Sequence, residues 1–259
     1  MGDVPPSHPR YNSLMARKKL TLAASKGMLA ESALIAHGRG EAFDYLLNEE
    51  TCRPARKAIR EVAARLRNAS SPVISLNGNT TVLAGTSLLA CAAVLGCPIE
   101  INIYYRTPER MTALREYLES IRQEAKELLP PSVTSRVDDV PILGGAPDGE
   151  IPGLEGPRAK CHSNGILGAD VILVPLEDGD RCEALISMGK SVCVIDLNPL
   201  SRTAKMATVT IVDEVARCSL LLLEDLLSDD LDSLPRWDQQ QNLEESLNVM
   251  LRGLSEGDD

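Results

Sequence analysis

The sequence predicts an α/β fold: a doubly wound, mostly parallel sheet with a helical segment at its N-terminus. In the C-terminal half, three short β-branched runs (Val171–Pro175, Val192–Ile195 and Thr208–Val212) have the apolar character of buried parallel strands. One helix length of residues separates the first two runs and ends at Gly189, where a helix C-cap is expected. A strand, a crossover helix and a second strand in this order form the unit from which parallel sheets are built.

The first 70 residues predict helices. Ser7-His8-Pro9 fits an N-cap followed by a first-turn proline, and an amphipathic helix follows. Helical patterns follow over Leu29–Ala36 and Glu41–Leu47, and another helix begins at Thr51 and reaches about Ala69. Between the first two, His37-Gly38-Arg39-Gly40 predicts a turn with Arg39 at its tip, because glycine disfavours helix interiors.

From Pro72 onwards, apolar runs alternate with helical patterns. The Pro- and Gly-rich stretch from Pro130 to Gly168 predicts a loop, or an excursion close to the site. We expect one domain, in which residues 1–70 pack on an α/β core of residues 71–227 and residues 228–259 form an acidic helical tail. The other elements predicted here are strands at Val73–Leu76, Ile99–Tyr104 and Val140–Leu143, and helices up to Leu95, over Pro108–Leu129, over Glu214–Leu227 and over Gln240–Leu251.

The net charge of -10 is concentrated at the C-terminal end of the chain. Residues 224–259 hold 11 of the 37 acidic residues and 2 of the 27 basic ones, so the rest of the chain is almost neutral. Binding to a phosphate backbone needs a basic face. The charge distribution therefore argues against nucleic acid as a partner.

The cysteine pattern and the hydropathy indicate a cytoplasmic protein. The 7 cysteines include no Cys-x-x-Cys pair and lie mostly in apolar contexts, as is typical of reduced, buried thiols. We find no apolar run of the roughly 18 residues that a membrane span needs, and no signal peptide. No membrane association is expected.

Polar turn residues follow each strand of the predicted sheet. They are Asn77-Gly78-Asn79, Tyr105-Arg106-Thr107, residues 177–181 and Asp196-Leu197-Asn198-Pro199. Ligands of open parallel sheets bind beyond the carboxyl ends of the strands, so these turns predict a polar crevice at that edge. The sequence lacks the glycine-rich dinucleotide and P-loop signatures, and an anion in the crevice must therefore be bound by arginines and scattered backbone amides.

Several side chains are candidates for binding a phosphate, a carboxylate or a metal. Guanidinium groups match phosphate and carboxylate bidentately, and the arginine candidates are Arg17, Arg39, Arg106, Arg181 and Arg202. Asp178, Asp180 and Asp196 could hold Mg²⁺ or ribose hydroxyls, or could cap the helices that they precede. His37 could be a phosphate ligand or a general acid, or a helix-terminal histidine satisfied by the backbone.

Seven ordered segments carry a family resemblance. They are SHPRYNSL (7–14), LIAHGRGEAFDYL (34–46), VISLNGN (73–79), EINIYYRT (100–107), IPGLE (151–155), ADVILVPLEDGDRCEAL (169–185) and DLNPLSRTAKMA (196–207). Together they resemble the archaeal phosphopantothenate synthetases, the 4-phosphopantoate–β-alanine ligases, over residues 5 to about 217. The resemblance implies a homodimer with a Rossmann-like core. It also implies an ATP-dependent amide ligase of coenzyme A biosynthesis that forms an acyl-adenylate and releases AMP and pyrophosphate.

The same resemblance implies which residues form the site. ATP and Mg²⁺ are the expected cofactors, 4-phosphopantoate and β-alanine the expected substrates, and Arg39 and Asp180 the catalytic candidates. The residues expected to bind ATP are Arg17, Arg39, Asp180, Arg181, Cys182, Ser187, Asn198 and Pro199. By residue type and position, and not by the resemblance, His37, Asn77, Arg106 and Arg202 are expected to bind the other substrates.

Two rival functions stay open at this point. A phosphotransferase on the same fold would form ADP instead of AMP and pyrophosphate. A non-catalytic nucleotide-binding module would bind ATP but would not release AMP in response to β-alanine.

Overall fold

Six parallel strands form the central sheet of the computed structural model, which describes residues 4–231 and 236–252. These strands are β1, β2, β3, β6, β7 and β8, and a separate antiparallel hairpin is made by β4 and β5. In chain order the strands are β1 (Pro72–Leu76), β2 (Ile99–Ile101), β3 (Ile142–Leu143), β4 (Gly149–Glu150), β5 (Lys160–Cys161), β6 (Val171–Pro175), β7 (Ser191–Ile195) and β8 (Val209–Ile211).

The strand order β3-β2-β1-β6-β7-β8 confirms the doubly wound sheet. From β1 the chain steps outwards to β2 and β3, and then returns to place β6 on the other side of β1. Ile74 is therefore paired with Ile99 on one side and with Leu173 on the other. The carboxyl ends of β1 and β6 form the switch point at which open α/β sheets bind ligands.

Helices cover both faces of the sheet. The helices are α1 (Tyr11–Ser25), α2 (Ser32–Tyr45), α3 (Arg53–Asn68), α4 (Gly78–Leu95), α5 (Pro108–Ser120), α6 (Arg122–Glu127), α7 (Pro131–Thr134), α8 (Arg136–Asp139), α9 (Gly179–Ser187), α10 (Arg202–Met206), α11 (Val215–Leu227) and α12 (Gln239–Arg252). Successive strand residues point to opposite faces. Leu173 accordingly packs in the larger core with α3, α4 and α11, whereas Ile172 and Val174 pack in a second core with α9.

Helix α4 corrects one expectation from the hydropathy. Within the described ranges it is one helix that is long and apolar enough, by length and composition, to cross a membrane. Its apolar window is 78% buried inside the protein, because α4 lies between β1 and the helices α1, α5, α6 and α11. A helix covered on all sides in this way has the composition of a core helix.

The predicted turn at residues 37–40 is wrong, because α2 runs through it without a break. Two interior glycines cost roughly 1 kcal/mol each relative to alanine. Contacts outside the helix outweigh this cost: Glu41 is bound by Ser13 and Arg17 on α1, and Asp44 is bound by Arg217 on α11. Tertiary contacts, rather than propensity, supply most of the stability of protein helices.

Two further boundaries differ from the expectation. The single helix predicted from Pro108 to Leu129 is divided at Ile121, which is 4% exposed and packs in the core against Gly85. Strand β2 ends at Ile101, and the side chain of the next residue, Asn102, donates to the carbonyl groups of Arg158 and Lys160.

The C-terminal helix α12 packs on α3 and β8. Its Gln239 donates to the hydroxyl of Thr210 at 2.7 Å, and Asn242 donates to the Thr210 carbonyl at 2.9 Å. Residues 232–235 and 253–259 of the predicted acidic tail lie outside the described residues, and the domain boundaries stay a prediction. All 7 cysteines are free; six are buried and Cys52 is half-buried.

Candidate active site at the sheet switch point

A cavity of about 1230 Å³ opens at the carboxyl ends of β1 and β6. Its floor comes from the turn between β1 and α4 and from Leu176 and Asp178 after β6. One wall is the helical arm α1–α2, and another is the N-terminal end of α11. A cavity is therefore present at the predicted edge of the sheet.

Asn77 ties the two sheet halves together at the cavity floor. Its Oδ1 accepts from the Thr80 N–H at 3.0 Å and caps α4, and its Nδ2 donates to the Leu176 carbonyl at 2.9 Å. Leu176 has a φ of 55°, a left-handed conformation that non-glycine residues adopt at a cost. The first N–H groups of a helix have no partner inside it and carry the positive end of its dipole. Since Gly78 and Asn79 line the cavity, this end of α4 is suited to bind an anion.

The glycines that follow β1 and β6 make room for protein side chains. A Cβ at Gly78 would lie 2.8 Å from Cδ2 of Leu29, so glycine there lets the helical arm pack against the start of α4. A Cβ at Gly179 would lie 2.9 Å from the Arg202 side chain. Close packing thus explains both glycines.

Arg158 is a cavity residue that the sequence reasoning missed. It lies in the excursion between β3 and β6 and is 7% exposed. Its Nη1 is 2.6 Å from Oδ2 of Asp178 and 2.9 Å from Oε1 of Glu177, and its Nε donates to Asn102 at 3.2 Å. The one sequence signal was the prediction that this excursion passes close to the site.

Arg181 is a second buried arginine that pairs with the Glu177 carboxylate, as Arg158 does. It is 1% exposed, pairs with Glu177 and donates to Ser75 Oγ at 3.0 Å. Burial lowers the pKa of its guanidinium, with Glu177 acting in the opposite direction. Two guanidinium groups thus share one buried carboxylate, and Arg181 lies beneath the cavity and does not line it.

One face of α2 turns three titratable side chains, His37, Glu41 and Asp44, towards the cavity. Glu41 accepts from Ser13 and from Arg17 Nε at 3.0 Å, and Arg10 lies 3.4 Å away. The Nε2 of His37 is buried and has no hydrogen-bond partner within the described part of the chain. Burial lowers the pKa of His37, with Glu41 opposing this shift and Arg17 adding to it.

Arg217 joins the helical arm to the sheet. Its Nη2 is 2.7 Å from Oδ1 of Asp44, its Nη1 donates to the Glu49 carbonyl at 2.8 Å, and it also pairs with Asp213. Thr51 donates to the other oxygen of Asp213 at 2.6 Å. No local sequence pattern predicted this network, because Asp44 and Thr51 lie more than 160 residues from their partners Arg217 and Asp213.

Of the predicted site residues, the structure brings His37 and Asn77 to the cavity lining. Arg17 is bound to Glu41 just behind the lining. Arg39 is exposed on α2 and forms no hydrogen bond or ion pair with the residues that the structure describes. Arg106 donates to the Gly144 carbonyl, away from the lining.

The predicted ATP residues after β6 and β7 do not line this cavity. Asp180 and Arg202 form an exposed ion pair with each other, and Asn198 and Pro199 form a turn held by Asp196. Cys182 is fully buried, and burial raises the pKa of its thiol to about 12. Ser187 is exposed at the C-terminal end of α9, which leads to the opposite edge of the sheet. Their binding roles stay predictions.

The carboxylates near the switch point do not fit a resident metal. Within the described residues, no group of three His, Cys, Asp or Glu side chains converges as metal ligands would. Asp178 is paired with Arg158, Asp180 with Arg202, and Asp196 accepts from Ser201. Each candidate ligand is thus engaged by a protein donor.

Known proteins match most of this chain. The phosphopantothenate/pantothenate synthetase family profile matches residues 54–252. A 4-phosphopantoate–β-alanine ligase of Thermococcus kodakarensis is 47% identical over 224 residues, which is 86% of this chain and 80% of the relative. Enzymes of the same name from Methanospirillum hungatei and Methanosarcina mazei are 44% identical, over 83% and 84% of this chain and 81% and 79% of their own lengths.

Proposed function

The chain belongs to the phosphopantothenate/pantothenate synthetase family, and from this premise we propose that it joins 4-phosphopantoate to β-alanine through an acyl-adenylate, with release of AMP and pyrophosphate. It is a ligase of coenzyme A biosynthesis that forms an amide bond.

The single observation that carries the proposal is the cavity at the switch point. Its volume of about 1230 Å³ exceeds the roughly 300–1,000 Å³ of a common small-molecule site, so it can accommodate a nucleotide and a phosphorylated acid together. Such substrates repel each other, and their charge must be offset by fixed positive groups. The positive groups on the lining are the N-terminal end of α4 and the side chains of Lys19, Arg110, Arg158 and Arg217.

The chemistry requires no nucleophile from the protein. In the first step a carboxylate oxygen of 4-phosphopantoate attacks the α-phosphorus of ATP, and pyrophosphate leaves. In the second step the amine of β-alanine attacks the acyl carbon, and AMP leaves. Such a site acts by holding the reactants in contact and keeping water away from the acyl-adenylate. The buried, high-pKa Cys182 is inert as a nucleophile, in agreement with this scheme.

Binding of ATP must change the hydrogen-bond partner of Arg17. Both oxygens of Glu41 now accept from its Nε, each at 3.0 Å. We propose that a phosphate replaces Glu41 as its partner, because the guanidinium fork binds either anion. Mg²⁺ would arrive on the ATP phosphates, since this ion is commonly held by substrate phosphates and few protein ligands.

We further propose a cytoplasmic homodimer that uses neither nucleic acid nor membrane as a partner. The outer side of α2 exposes Leu34 and Ile35, and α1 exposes Leu22, which supports a contact with a second copy. Light scattering should give a dimer for the wild type and a monomer for Ile35→Asp. The matched exposed substitution Leu251→Asp should leave the dimer intact, and a monomeric wild type would refute this part.

Product analysis tests the reaction. The enzyme is incubated with ATP, Mg²⁺, 4-phosphopantoate and β-alanine, and nucleotides and phosphates are separated. We expect equal amounts of AMP, pyrophosphate and amide, with no multiple turnover when β-alanine is omitted. ADP as the product would indicate the phosphotransferase. ATP binding without any product would indicate the nucleotide-binding module.

A further inference from the structure

The imidazole of His37 is the one group on the cavity face of α2 whose bonding capacity is unused. Glu41 and Asp44, one and two turns along the helix, are fully engaged by Ser13, Arg17 and Arg217. The Nε2 of His37 is inaccessible to solvent and has no partner among the described residues, although the residue lines the cavity. A buried polar atom without a partner costs about 1–3 kcal/mol, so this nitrogen has been desolvated without compensation inside the chain.

Because Nε2 has no exposed surface in this conformation, the ring must turn about its Cβ–Cγ bond to present it to the cavity, and a substrate there would then supply the missing partner. The proposed reaction brings an alkyl amine there, and the amine must lose a proton when it becomes an amide. A neutral imidazole nitrogen is an acceptor of suitable strength for this proton. The lining carboxylates Glu41, Asp44, Glu49 and Asp178 are less suited, since they are held in ion pairs, and Glu214 accepts from the Arg217 N–H as the cap of α11.

We infer that Nε2 of His37 is the general base of the amide-forming step and accepts a proton from the β-alanine ammonium; this inference depends on the proposed ligase reaction. Nε2 takes one proton from the ammonium of β-alanine and so frees the lone pair of its nitrogen. The amine nitrogen then forms its bond to the acyl carbon, and its second proton passes to solvent. The bond between the acyl carbon and the phosphate oxygen breaks, its electron pair leaves on AMP, and His37 returns the proton to solvent.

The charged groups around His37 agree with this role. Arg17 faces it from α1 and Glu41 from its own helix, and burial together with Arg17 outweighs Glu41, so the pKa of His37 lies below its ordinary value of 6.5. The imidazole is therefore neutral at pH 7 and able to accept a proton. The amide-forming rate should decline as the pH falls through that lowered pKa.

The test separates the two half-reactions in the full-length enzyme. Exchange of labelled pyrophosphate into ATP, dependent on 4-phosphopantoate, reports adenylation. Amide formation in a single turnover with β-alanine reports the second step. In His37→Gln and His37→Ala we expect exchange within about 3-fold of wild type and amide formation slower by roughly 100-fold, the usual contribution of a general base.

Two further measurements distinguish base catalysis from a structural effect. Hydroxylamine is largely unprotonated at neutral pH, so its capture of the acyl-adenylate should be nearly unchanged in the His37 variants. The loss of amide-forming rate in the His37 variants, relative to wild type, should also become smaller as the pH is raised and the free amine of β-alanine becomes more abundant. The matched variant His162→Gln, whose imidazole lies beside Asp148 and off the lining, should behave as wild type in both half-reactions.

Each remaining outcome has a definite meaning. Unchanged amide formation in both His37 variants overturns the inference. Equal loss of exchange and amide formation also overturns it, because it indicates a positional or folding role. If the wild type shows no exchange dependent on 4-phosphopantoate, the proposed function itself fails, and this result cannot be confused with the other two.

Discussion

Asn77, at the end of β1, donates its side-chain amide to the carbonyl of Leu176, at the end of β6, across 2.9 Å. One residue thus caps the central helix and joins the two halves of the doubly wound sheet at the point where they diverge. The bond also holds the left-handed Leu176 in place.

Replacement of Asn77 with alanine should lower both stability and activity. The loss of the cap and of the bond to Leu176 should reduce the free energy of unfolding by about 1–3 kcal/mol, measured by urea denaturation. The amide-forming kcat/KM should fall as well, because the cavity floor loses the hydrogen bond between Asn77 and Leu176. Asn68→Ala serves as the control, since Asn68 is an exposed side chain bonded to a backbone carbonyl. Equal effects of the two substitutions would contradict the assignment.

Arg217→Ala should be among the most destabilising polar substitutions. It removes the main partner of Asp213, which is 1% exposed, and the link to Asp44 on the helical arm. Breaking a buried ion pair from one side costs about 3–5 kcal/mol. Lys57→Ala breaks an exposed pair with Glu245 and should cost less than about 1 kcal/mol. A loss below that level for Arg217→Ala would show that the network does not hold the arm.

The attachment of α2 to α1 should weaken in acid. Burial disfavours the ionised form of Glu41, but the bonds from Ser13 and Arg17 outweigh it and hold the pKa below the usual 4.5. A lowered pKa means that this contribution is complete above about pH 4.5 and is lost as the pH falls through the folded value. The stability difference between wild type and Glu41→Gln should therefore shrink below pH 4.5. Denaturation from pH 7 to pH 3.5 measures it, and the exposed Glu116→Gln should show no such trend.

Arg39→Ala tests the predicted contact with ATP. Loss of a charge-assisted hydrogen bond of about 1.5–3 kcal/mol should raise the KM for ATP roughly 10- to 100-fold. Arg136→Ala, at another exposed arginine, is the control. If both variants keep the wild-type KM and kcat, Arg39 has no role in ATP binding.

The position of Arg39 also predicts where it acts. Because it lies outside the lining of its own chain, its contact should be made across the proposed dimer. Mixed dimers of Arg39→Ala and Asn77→Ala should then contain one undamaged site and be more active than either variant alone. Mixtures no more active than the separate variants would place Arg39 on its own subunit.

The sheet was predictable because its information is local. Short β-branched runs spaced by one helix length specify buried parallel strands, and the polar residues after them mark the ligand edge. The residues that build the cavity walls were harder to find. Arg158 and Arg217 acquire their roles through partners on distant segments, and a lone arginine in a loop or on a helix gives no sign of them.

The interior glycines of α2 show where a clear local pattern gives a wrong prediction. Gly38 and Gly40 disfavour a helix, and this local preference alone predicts a break. The local pattern gives no sign of the bonds that Glu41 and Asp44 make with other helices. The same bonds explain why His37 points into the cavity and does not end a helix. Local propensity therefore failed where side chains from three parts of the chain meet.

Helix α2 contains residues that disfavour a helix, so its local unfolding should require little free energy. Since roughly 2 kcal/mol opposes α2 at its two glycines, amide protons of this segment should exchange with solvent faster than those of α4, which lies in the core. Transient fraying of this wall would give bulky, charged reactants a route of entry. Its re-formation around them would then shield a water-sensitive intermediate from hydrolysis.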